Sequence, residues 1–479
     1  MTLRHRRVRL RRLVVLVALV VACSTDATGP ASVASVQVNP ASAQAQVGST
    51  VQLSAMPRDA NGGDLPGRPV TWSSGNTAVA TVNGNGVVTG ASLGTAQITA
   101  TSEGRSGQAT VTVVPGSATQ LVFTTPPGTV TAGAAFAPAV QVAARDALGN
   151  TATGFTGPVT LAFAANPGGA TLGGTTTVAA AAGVATFTGV SLDKSGVGYT
   201  LQASAGGVPA VTSPSFSVTP ATATHLVFSV QPGTTVAGAT IAPALQVTAR
   251  DAFGNTATGF TAAVTIAIGT NPSGGTLSGT ATVDAVSGVA IFGALSIDAS
   301  GTGYTLTAAA TGLGGATSAP FSITAASVSA SLSTVVATPP TITASNGSSA
   351  STVTVTARDP FGNPVGGVTV VLAASGSGNT VTQPGPTNAS GVATGTVSST
   401  VVGVKTISAT VGGVAVSQTA SVTVDPGIAA QLAFTVQPST TPAGYPITPA
   451  VQVSARDAFG NATPEFSGTV TVAIGTNPG

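Results

Sequence analysis

One phrase of this sequence, Arg-Asp-x-x-Gly-Asn, places charged and amide side chains at a fixed spacing. It occurs in full four times, at Arg145, Asp146, Gly149 and Asn150; Arg250, Asp251, Gly254 and Asn255; Arg358, Asp359, Gly362 and Asn363; and Arg456, Asp457, Gly460 and Asn461. The aspartates could be calcium ligands, but calcium needs about six to eight oxygens, usually from several carboxylates. The acidic residues of each repeat are few and scattered. We therefore expect no metal site.

The same residues have a simpler interpretation as a tight turn. An aspartate side chain caps the backbone N–H groups that follow it, glycine adopts a positive φ, and asparagine tolerates the left-handed region. A local Arg–Asp pair adds under ~1 kcal/mol when it is exposed. Each copy follows an alternating run such as Val140-Gln141-Val142-Ala143, which is typical of a half-buried strand. We predict four structural turns at strand ends, with a degenerate fifth copy that begins at Arg58.

Residue types that support catalysis are scarce. After the first 22 residues the chain has one histidine, His225, and two glutamates, Glu103 and Glu465. His225 is matched by Gln120 and Gln431 in the related repeats, which favours a surface position on a strand. The motifs HExxH, GxSxG and Walker A do not occur. We expect no enzyme activity, no catalytic residue and no cofactor.

Three single residues could have other functions. Trp72, the only tryptophan, lies within a predicted strand, where a place in the core is expected rather than an exposed sugar-binding face. Tyr445 is the one aromatic residue that is expected at a surface contact. Lys194 could form an isopeptide crosslink, but its counterpart is Ala299, and the only other lysine is Lys405. The crosslink is not expected.

The positive charge of the chain is concentrated at its start. Six of the 15 basic residues are Arg4, Arg6, Arg7, Arg9, Arg11 and Arg12. From Cys23 onward, nine basic residues remain against all 13 acidic ones, so the net charge is near −4. Without a basic patch there is no electrostatic attraction to a phosphate backbone, so nucleic acid is not expected as a partner.

The first 23 residues have the layout of an export signal. An arginine-rich start precedes the apolar run Leu13–Ala22, which is too short to span a bilayer but suits the core of a signal peptide. Val20-Val21-Ala22-Cys23 resembles the lipobox of bacterial lipoproteins. The resemblance implies cleavage before Cys23, lipidation of that cysteine, and a lipid anchor in the outer membrane at the cell surface. Cys23 is also the only cysteine, which excludes an intrachain disulfide.

The repeat spacing sets the size of the domains. Successive arginines of the phrase are 105, 108 and 98 residues apart, about one β-sandwich domain. Abundant Val and Thr with Gly and Pro indicates many short strands. We predict an all-β chain of tandem Ig-like sandwiches arranged as an elongated rod. The expected segments are a lipoprotein signal peptide at 1–22, a tether at 23–32, domains at 33–115, 116–221, 222–326 and 327–426, and a truncated domain at 427–479.

Two of these segments resemble known domain families. VGSTVQLSA, VTWSSGNTAVATVNGNGVVTG and GTAQITATSEG, in 33–115, resemble group 2 bacterial Ig-like domains. STVTVTARDPFGNPVGGVTVVLAASG, in 327–426, resembles the group 1 bacterial Ig-like domain of invasin and intimin stalks. The segments 116–221 and 222–326 are copies of one domain at an offset of 105, and 427–479 restarts that type. This restart suggests a fragment of a longer protein.

The sequence favours a non-enzymatic surface protein. The resemblance to invasin-type stalks implies an adhesin-like lipoprotein that presents a distal element or mediates cell-surface adhesion through a protein or glycan ligand. Two alternatives stay open, because Ig-like sandwiches have many functions. One is an array of carbohydrate- or cell-wall-binding modules, and the other is the carrier portion of a longer exported enzyme.

Overall fold

The computed structural model describes residues 29–476. The predicted signal peptide, the predicted lipidation site Cys23 and most of the predicted tether lie outside the described residues. Within them the chain forms 43 strands, and it has no helix long and apolar enough to cross a membrane. The all-β prediction is confirmed. The described residues form two compact units, the first made of 29–130, Ala134–Leu192 and Gly196–Ser217 and the second of Thr131–Gly133, Asp193–Ser195 and 218–476.

The first domain encloses a core of small aliphatic side chains. Its strands are β1 (Ser35–Asn39), β2 (Ser42–Gln46), β3 (Thr50–Gln52), β4 (Ser54–Arg58), β5 (Thr71–Ser74), β6 (Ala80–Val82), β7 (Val87–Gly90), β8 (Gly94–Ser102) and β9 (Arg105–Val114). They form the sheets β2-β9-β8-β5 and β3-β7-β6 and the pair β1-β4. Buried and more exposed residues alternate along β8 and β9, as expected of strands that cover a core with one face. Trp72, which was predicted in the core, is half-buried and packs against the core.

The second domain has two larger sheets and a small pair. Its strands are β10 (Gln120–Thr125), β11 (Val130–Thr131), β12 (Val140–Arg145), β13 (Pro158–Ala165), β14 (Leu172–Gly173), β15 (Thr177–Ala179), β16 (Val184–Phe187), β17 (Ser191–Leu192), β18 (Gly196–Ala205), β19 (Val208–Thr212) and β20 (Phe216–Thr219). The sheets are β10-β12-β16 and β11-β20-β18-β13-β15, with β19 beside β18, and the pair is β14-β17. Phe187, Tyr199 and Leu201 are fully buried.

The third domain repeats the second. Its strands are β21 (His225–Val230), β22 (Thr235–Val236), β23 (Leu245–Arg250), β24 (Ala263–Ile268), β25 (Leu277–Ser278), β26 (Thr282–Asp284), β27 (Val289–Phe292), β28 (Ser296–Ile297), β29 (Gly301–Tyr304), β30 (Leu306–Ala309), β31 (Ala316–Thr317) and β32 (Phe321–Thr324). Leu226, Phe292, Tyr304 and Phe321 lie in its core, like their counterparts at an offset of 105, whereas Phe228 and Phe260 pack against the core while partly exposed. Apolar residues held in register thus mark the core.

The fourth domain has a core of valines and isoleucines. Its strands are β33 (Thr334–Thr338), β34 (Thr341–Thr343), β35 (Ser351–Thr356), β36 (Val370–Ala374), β37 (Asn379–Thr382), β38 (Val392–Ser399), β39 (Gly403–Val411), β40 (Val414–Ala415) and β41 (Ala420–Asp425). They form the sheets β33-β35-β38-β37 and β34-β41-β39-β36, with β40 beside β39. The parallel pairing of β34 with β41 matches that of β22 with β32 in the third domain.

The last described segment contains one antiparallel strand pair, β42 (Gln431–Val436) with β43 (Gln452–Arg456). Its residue pairing is that of β21 with β23, including the register shift after the phenylalanine. Leu432 is 51% exposed here, whereas its counterpart Leu226 is 2% exposed. The described part of this segment therefore has the strand pairing of the repeat without its closed core.

Candidate functional site: the turns at the domain junctions

All four Arg-Asp-x-x-Gly-Asn phrases fold as the same turn directly after a strand. In the first, Asp146 Oδ1 accepts hydrogen bonds from the backbone N–H of Leu148 (3.0 Å) and of Asn150 (2.8 Å). The other three aspartates cap their turns in the same way. The glycine has a positive φ in every copy, +83° at Gly149 and +80° at Gly254, which an L side chain would strain. The backbone and the aspartate thus define each turn locally.

Two details of the predicted turn are corrected. First, no Arg–Asp ion pair forms in these turns. Instead each guanidinium donates to the carbonyl oxygen of the turn glycine, at 2.5 to 3.4 Å. Ion pairs within the described chain occur elsewhere, as at Arg58–Asp64 and Arg68–Glu103. Second, the asparagine has no positive φ in any copy. Glycine alone provides the left-handed residue, so the asparagine must have another role.

The second oxygen of each aspartate accepts a hydrogen bond from the segment that leads into its own domain. Asp359 Oδ2 accepts a hydrogen bond from the backbone N–H of Ala326 at 2.9 Å, and Asp457 Oδ2 accepts one from Gly427 at 3.0 Å. Asp146 and Asp251 bond to Gly116 and Ala221 in the same way. Each turn therefore fixes the segment that links its domain to the preceding one.

These bonds leave little capacity for a cation at the turn. The asparagine Nδ2 also donates to the second oxygen, at 3.1 Å in the first copy and 2.8 to 2.9 Å in the others. A carboxylate has about four acceptor positions, and N–H donors occupy four of them in each copy. No group of three or more His, Cys, Asp or Glu that could hold a metal occurs among residues 29–476.

The hydrogen bonds also change the acidity of the turn aspartates. Burial raises the pKa of Asp251, but donation by the Asn255 amide and by the N–H groups of Ala221, Asn255 and Phe253 outweighs it and holds the pKa below its usual value. The pKa of Asp146 and of Asp457 is lowered by the same balance of burial and hydrogen bonds. These carboxylates are therefore anionic and fully bonded at neutral pH.

The asparagine amide reaches beyond its own domain. Asn363 Nδ2 donates to the backbone carbonyl of Asp298 at 2.8 Å, and its Oδ1 accepts from the N–H of Ser300 at 2.8 Å. Both partners belong to the third domain, whereas Asn363 belongs to the fourth. One amide thus makes a two-point contact with a backbone segment of the preceding domain.

This two-point contact recurs in the second unit. Asn461 donates to the carbonyl of Thr400 at 2.8 Å and accepts from the N–H of Val402 at 3.4 Å. Asn255 makes the same pair of bonds with Asp193 and Ser195. Because only backbone groups are contacted, the partner positions differ in side chain without loss of the bonds.

A phenylalanine of the turn adds an apolar contact. The Phe361 ring lies directly against Gly238 of the third domain, in the space that a Cβ there would fill. Gly133 and Phe253 have the same relation. Both glycines have a positive φ, +74° and +78°. We call the bonds of Asn363 to Asp298 and Ser300, with the packing of Phe361 on Gly238, the junction contact of the third and fourth domains.

The turns whose asparagine position makes no bonds to the preceding domain differ in sequence. In the second domain Leu148 stands at the phenylalanine position and is 67% exposed, and the Asn150 amide bonds to Asp146 of its own turn. In the first domain Asp59 caps a similar turn, but Asn61 and Gly63 replace the phenylalanine and the asparagine. The asparagine was predicted as a turn residue only, and the role of the asparagine and the phenylalanine between domains was not predicted. The signal was present, since Phe and Asn occur together in three copies and not in the degenerate copy.

The remaining candidates lie apart from these turns. His225 is half-buried on β21, with Nδ1 at 2.9 Å from the Thr224 hydroxyl. Lys194 donates to the carbonyl oxygen of Phe253. Tyr445 is 72% exposed. A groove of about 610 Å³ beside the segment Thr219–Ala223 is lined by small, apolar and threonine residues, without a titratable side chain. The structure brings none of them into a catalytic arrangement.

The sequence matches two domain families. Residues 32–122 match the bacterial Ig-like domain (group 2), and residues 329–427 match domain 3 of invasin. The chain carries bacterial Ig-like domains. Most of the second domain and all of the third lie between the two matched ranges. Both matched families are Ig-like, and neither is a catalytic family. Among curated proteins none matches the sequence.

Solved structures of similar fold include an adhesin and an integrin-binding protein. The adhesin FdeC of Escherichia coli aligns with 19% identity and a TM-score of 0.38, over 64% of this chain and 96% of that chain. Invasin, an integrin-binding bacterial protein, aligns with 18% identity and a TM-score of 0.35, over 66% of this chain and 62% of that chain. This chain therefore spans less than two thirds of the invasin structure. At these values the likeness says nothing of ligands.

Proposed function

We propose that this chain is a non-enzymatic, adhesin-like stalk of the bacterial surface, anchored by lipid at Cys23. The observation that carries the proposal is the recurring contact of an asparagine amide with the backbone of the preceding domain. Short linkers and contacts at domain boundaries limit interdomain swing. Domains joined in this way act as a spacer between an anchored end and an element that is presented at the other end.

The sequence matches and the residue supply support the same proposal. A domain of invasin type at 329–427 is the part that agrees with an adhesive function. Fully bonded turn aspartates and a groove without titratable groups offer no chemistry to a substrate. A protein or glycan ligand on another surface is the partner class that we propose, together with the membrane at the lipid anchor.

A carbohydrate-binding function is the second candidate. Tyr445 favours it, because an aromatic ring that is 72% exposed beside a glycine turn could stack on a sugar. Saturable glycan binding by the chain that disappears in Tyr445→Ala would support this candidate over the spacer.

The lipid anchor is tested by Cys23→Ser in the full chain. We expect the variant to lose incorporation of an alkyne-labelled palmitate and to move from the detergent phase to the aqueous phase in phase separation. Bacteria that express it should also lose any adherence that the unsubstituted chain confers on them. The reason is that a thiol is required for the thioether and a serine hydroxyl does not replace it.

Ser24→Ala is the matched control and should keep both the label and the detergent partition. A palmitate label that persists in Cys23→Ser would remove the anchor from the proposal. Adherence that is unchanged in that variant would argue that the chain is not the surface component that makes contact.

A further inference from the structure

The junction between the first and second domains lacks the contact found between the third and fourth. Leu148 is 67% exposed, whereas Phe361 packs on Gly238. The Asn150 amide donates to Asp146 within its own turn, whereas the Asn363 amide bonds to Asp298 and Ser300 of the preceding domain.

The hydrogen bond that remains at the first junction lies on one side of it. Gly116 N–H donates to Asp146 at 3.0 Å. This bond holds the segment before β10 against the second domain, but β9 of the first domain ends at Val114. On the other side, the Val114 carbonyl accepts from the Val47 N–H of the first domain at 3.0 Å, and the ring of Pro115 fixes its φ. Rotation about the Cα–C bond of Pro115, which lies between these two anchored groups, therefore breaks neither hydrogen bond. At the third–fourth junction an equivalent rotation would break two hydrogen bonds and separate a ring from its glycine.

We propose that Val114–Gly116 is a hinge, and that Phe361 and Asn363 hold the junction at Ala326 in one orientation. This inference rests on the proposed stalk function and states where such a stalk bends. A hinge beside the first domain lets the following domains change direction relative to the part nearest the anchor. The turn residue two positions after the aspartate, leucine or phenylalanine, distinguishes the two kinds of junction.

Distance distributions between spin labels test the hinge in the full chain. Cys23→Ser removes the only native thiol, so labels go only where cysteines are introduced. One pair, Gln97→Cys with Thr186→Cys, spans the first junction, and another, Thr282→Cys with Thr394→Cys, spans the third. All four side chains are exposed on strands. Double electron–electron resonance should give a distance distribution for the first pair that is at least roughly twofold broader than that for the second pair. The reason is that a domain boundary without contacts allows the domains to move relative to each other.

Substitution of the junction contact provides the second arm. Phe361→Leu with Asn363→Ala should broaden the distribution of the second pair toward that of the first, while the circular dichroism spectrum is unchanged. Asn150→Ala is the matched control and should not broaden the first pair further, because that amide serves its own turn.

Equal widths for the two pairs in the unsubstituted chain would overturn the proposal. So would a distribution that stays narrow in the Phe361 and Asn363 double variant. Neither result depends on lipidation or adherence, so failure of the hinge and failure of the stalk function remain distinguishable.

Discussion

At the scale of single residues, each turn aspartate accepts four hydrogen bonds. Its carboxylate accepts two bonds from its own turn, one from the segment that enters the domain and one from the turn asparagine. A charge that is removed from water is stabilised when N–H donors replace the solvent. This is why an aspartate, rather than a serine or asparagine, suits the position.

A pH dependence follows from the lowered pKa of Asp251. Its pKa in the folded chain is below the unfolded value of about 3.9. The stabilisation is therefore fully present above about pH 4 and is lost as the pH falls through the folded pKa. We expect the temperature of the thermal unfolding midpoint to decrease as the pH is lowered through this acidic range.

Asp251→Asn isolates the contribution of this one carboxylate. It places an NH₂ group against donors and should cost about 2 kcal/mol at pH 7. The difference in unfolding midpoint between this variant and the unsubstituted chain should narrow as the pH falls from about 4 through the lowered folded pKa of Asp251, where the carboxylate becomes protonated. Parallel pH profiles for the two proteins would show that the charge at position 251 does not contribute.

At the scale of elements, the junction of the third and fourth domains joins a turn of one domain to a glycine turn of the preceding one. Gly238 follows β22 with a φ of +74°, and the absence of a side chain lets the Phe361 ring approach the backbone. Gly444 has the same place in the last segment and a φ of +81°, with no heavy atom within 4 Å of a Cβ there. A side chain introduced at Gly444 would therefore strain the backbone only, whereas one introduced at Gly238 would strain the backbone and also displace the ring.

Gly238→Val should open the junction between the third and fourth domains. The new side chain displaces the Phe361 ring and adds backbone strain of about 1–3 kcal/mol. Hydrogen exchange should increase in peptides that contain Ser300 and Ala326, whose N–H groups are bonded across or beside the junction. Gly444→Val adds similar strain without a displaced ring, so exchange at those peptides should stay unchanged. An equal response to both valines would refute the ring contact.

At the scale of the whole molecule, the second unit contains consecutive domains that share contacts at their boundaries. Nearest-neighbour contacts of this kind couple the stability of adjacent domains. The third domain has its own core, in which Phe292 is 1% exposed, and the fourth has a separate core of valines and isoleucines. We therefore expect coupling between them to pass through the junction contact.

Phe292→Ala tests this coupling. Loss of the ring should destabilise the third domain by about 3–5 kcal/mol and also lower the urea midpoint for exchange in the fourth domain. Adding Asn363→Ala should remove this second effect, as in a double-mutant cycle. Ile291→Ala, on the same strand but 54% exposed, is the control and should change neither domain much. A fourth domain that responds to Phe292→Ala equally with and without Asn363 would place the coupling elsewhere.

The sequence by itself determined the all-β class, the Ig-like resemblance and the position of each turn. These follow from local physics: alternation of apolar residues defines a strand with one buried face, and Asp with Gly at a fixed spacing defines a capped turn with a positive φ. The aligned core residues, such as Phe187 and Phe292, were visible because each copy must fill a similar interior.

Only the tertiary structure decided what the asparagine and the phenylalanine do. Asn363 was predicted to tolerate a left-handed backbone, but its φ is not positive. Its side chain instead bonds to Asp298 and Ser300, which are more than 60 residues away in the sequence. Those partners are backbone groups, which carry no side-chain signature. The sequence likewise did not predict that Trp72 is only half-buried. A strand pattern shows which face of the strand is covered but not how completely each side chain is buried. Contacts between distant segments depend on how domains meet, and local spacing does not encode that.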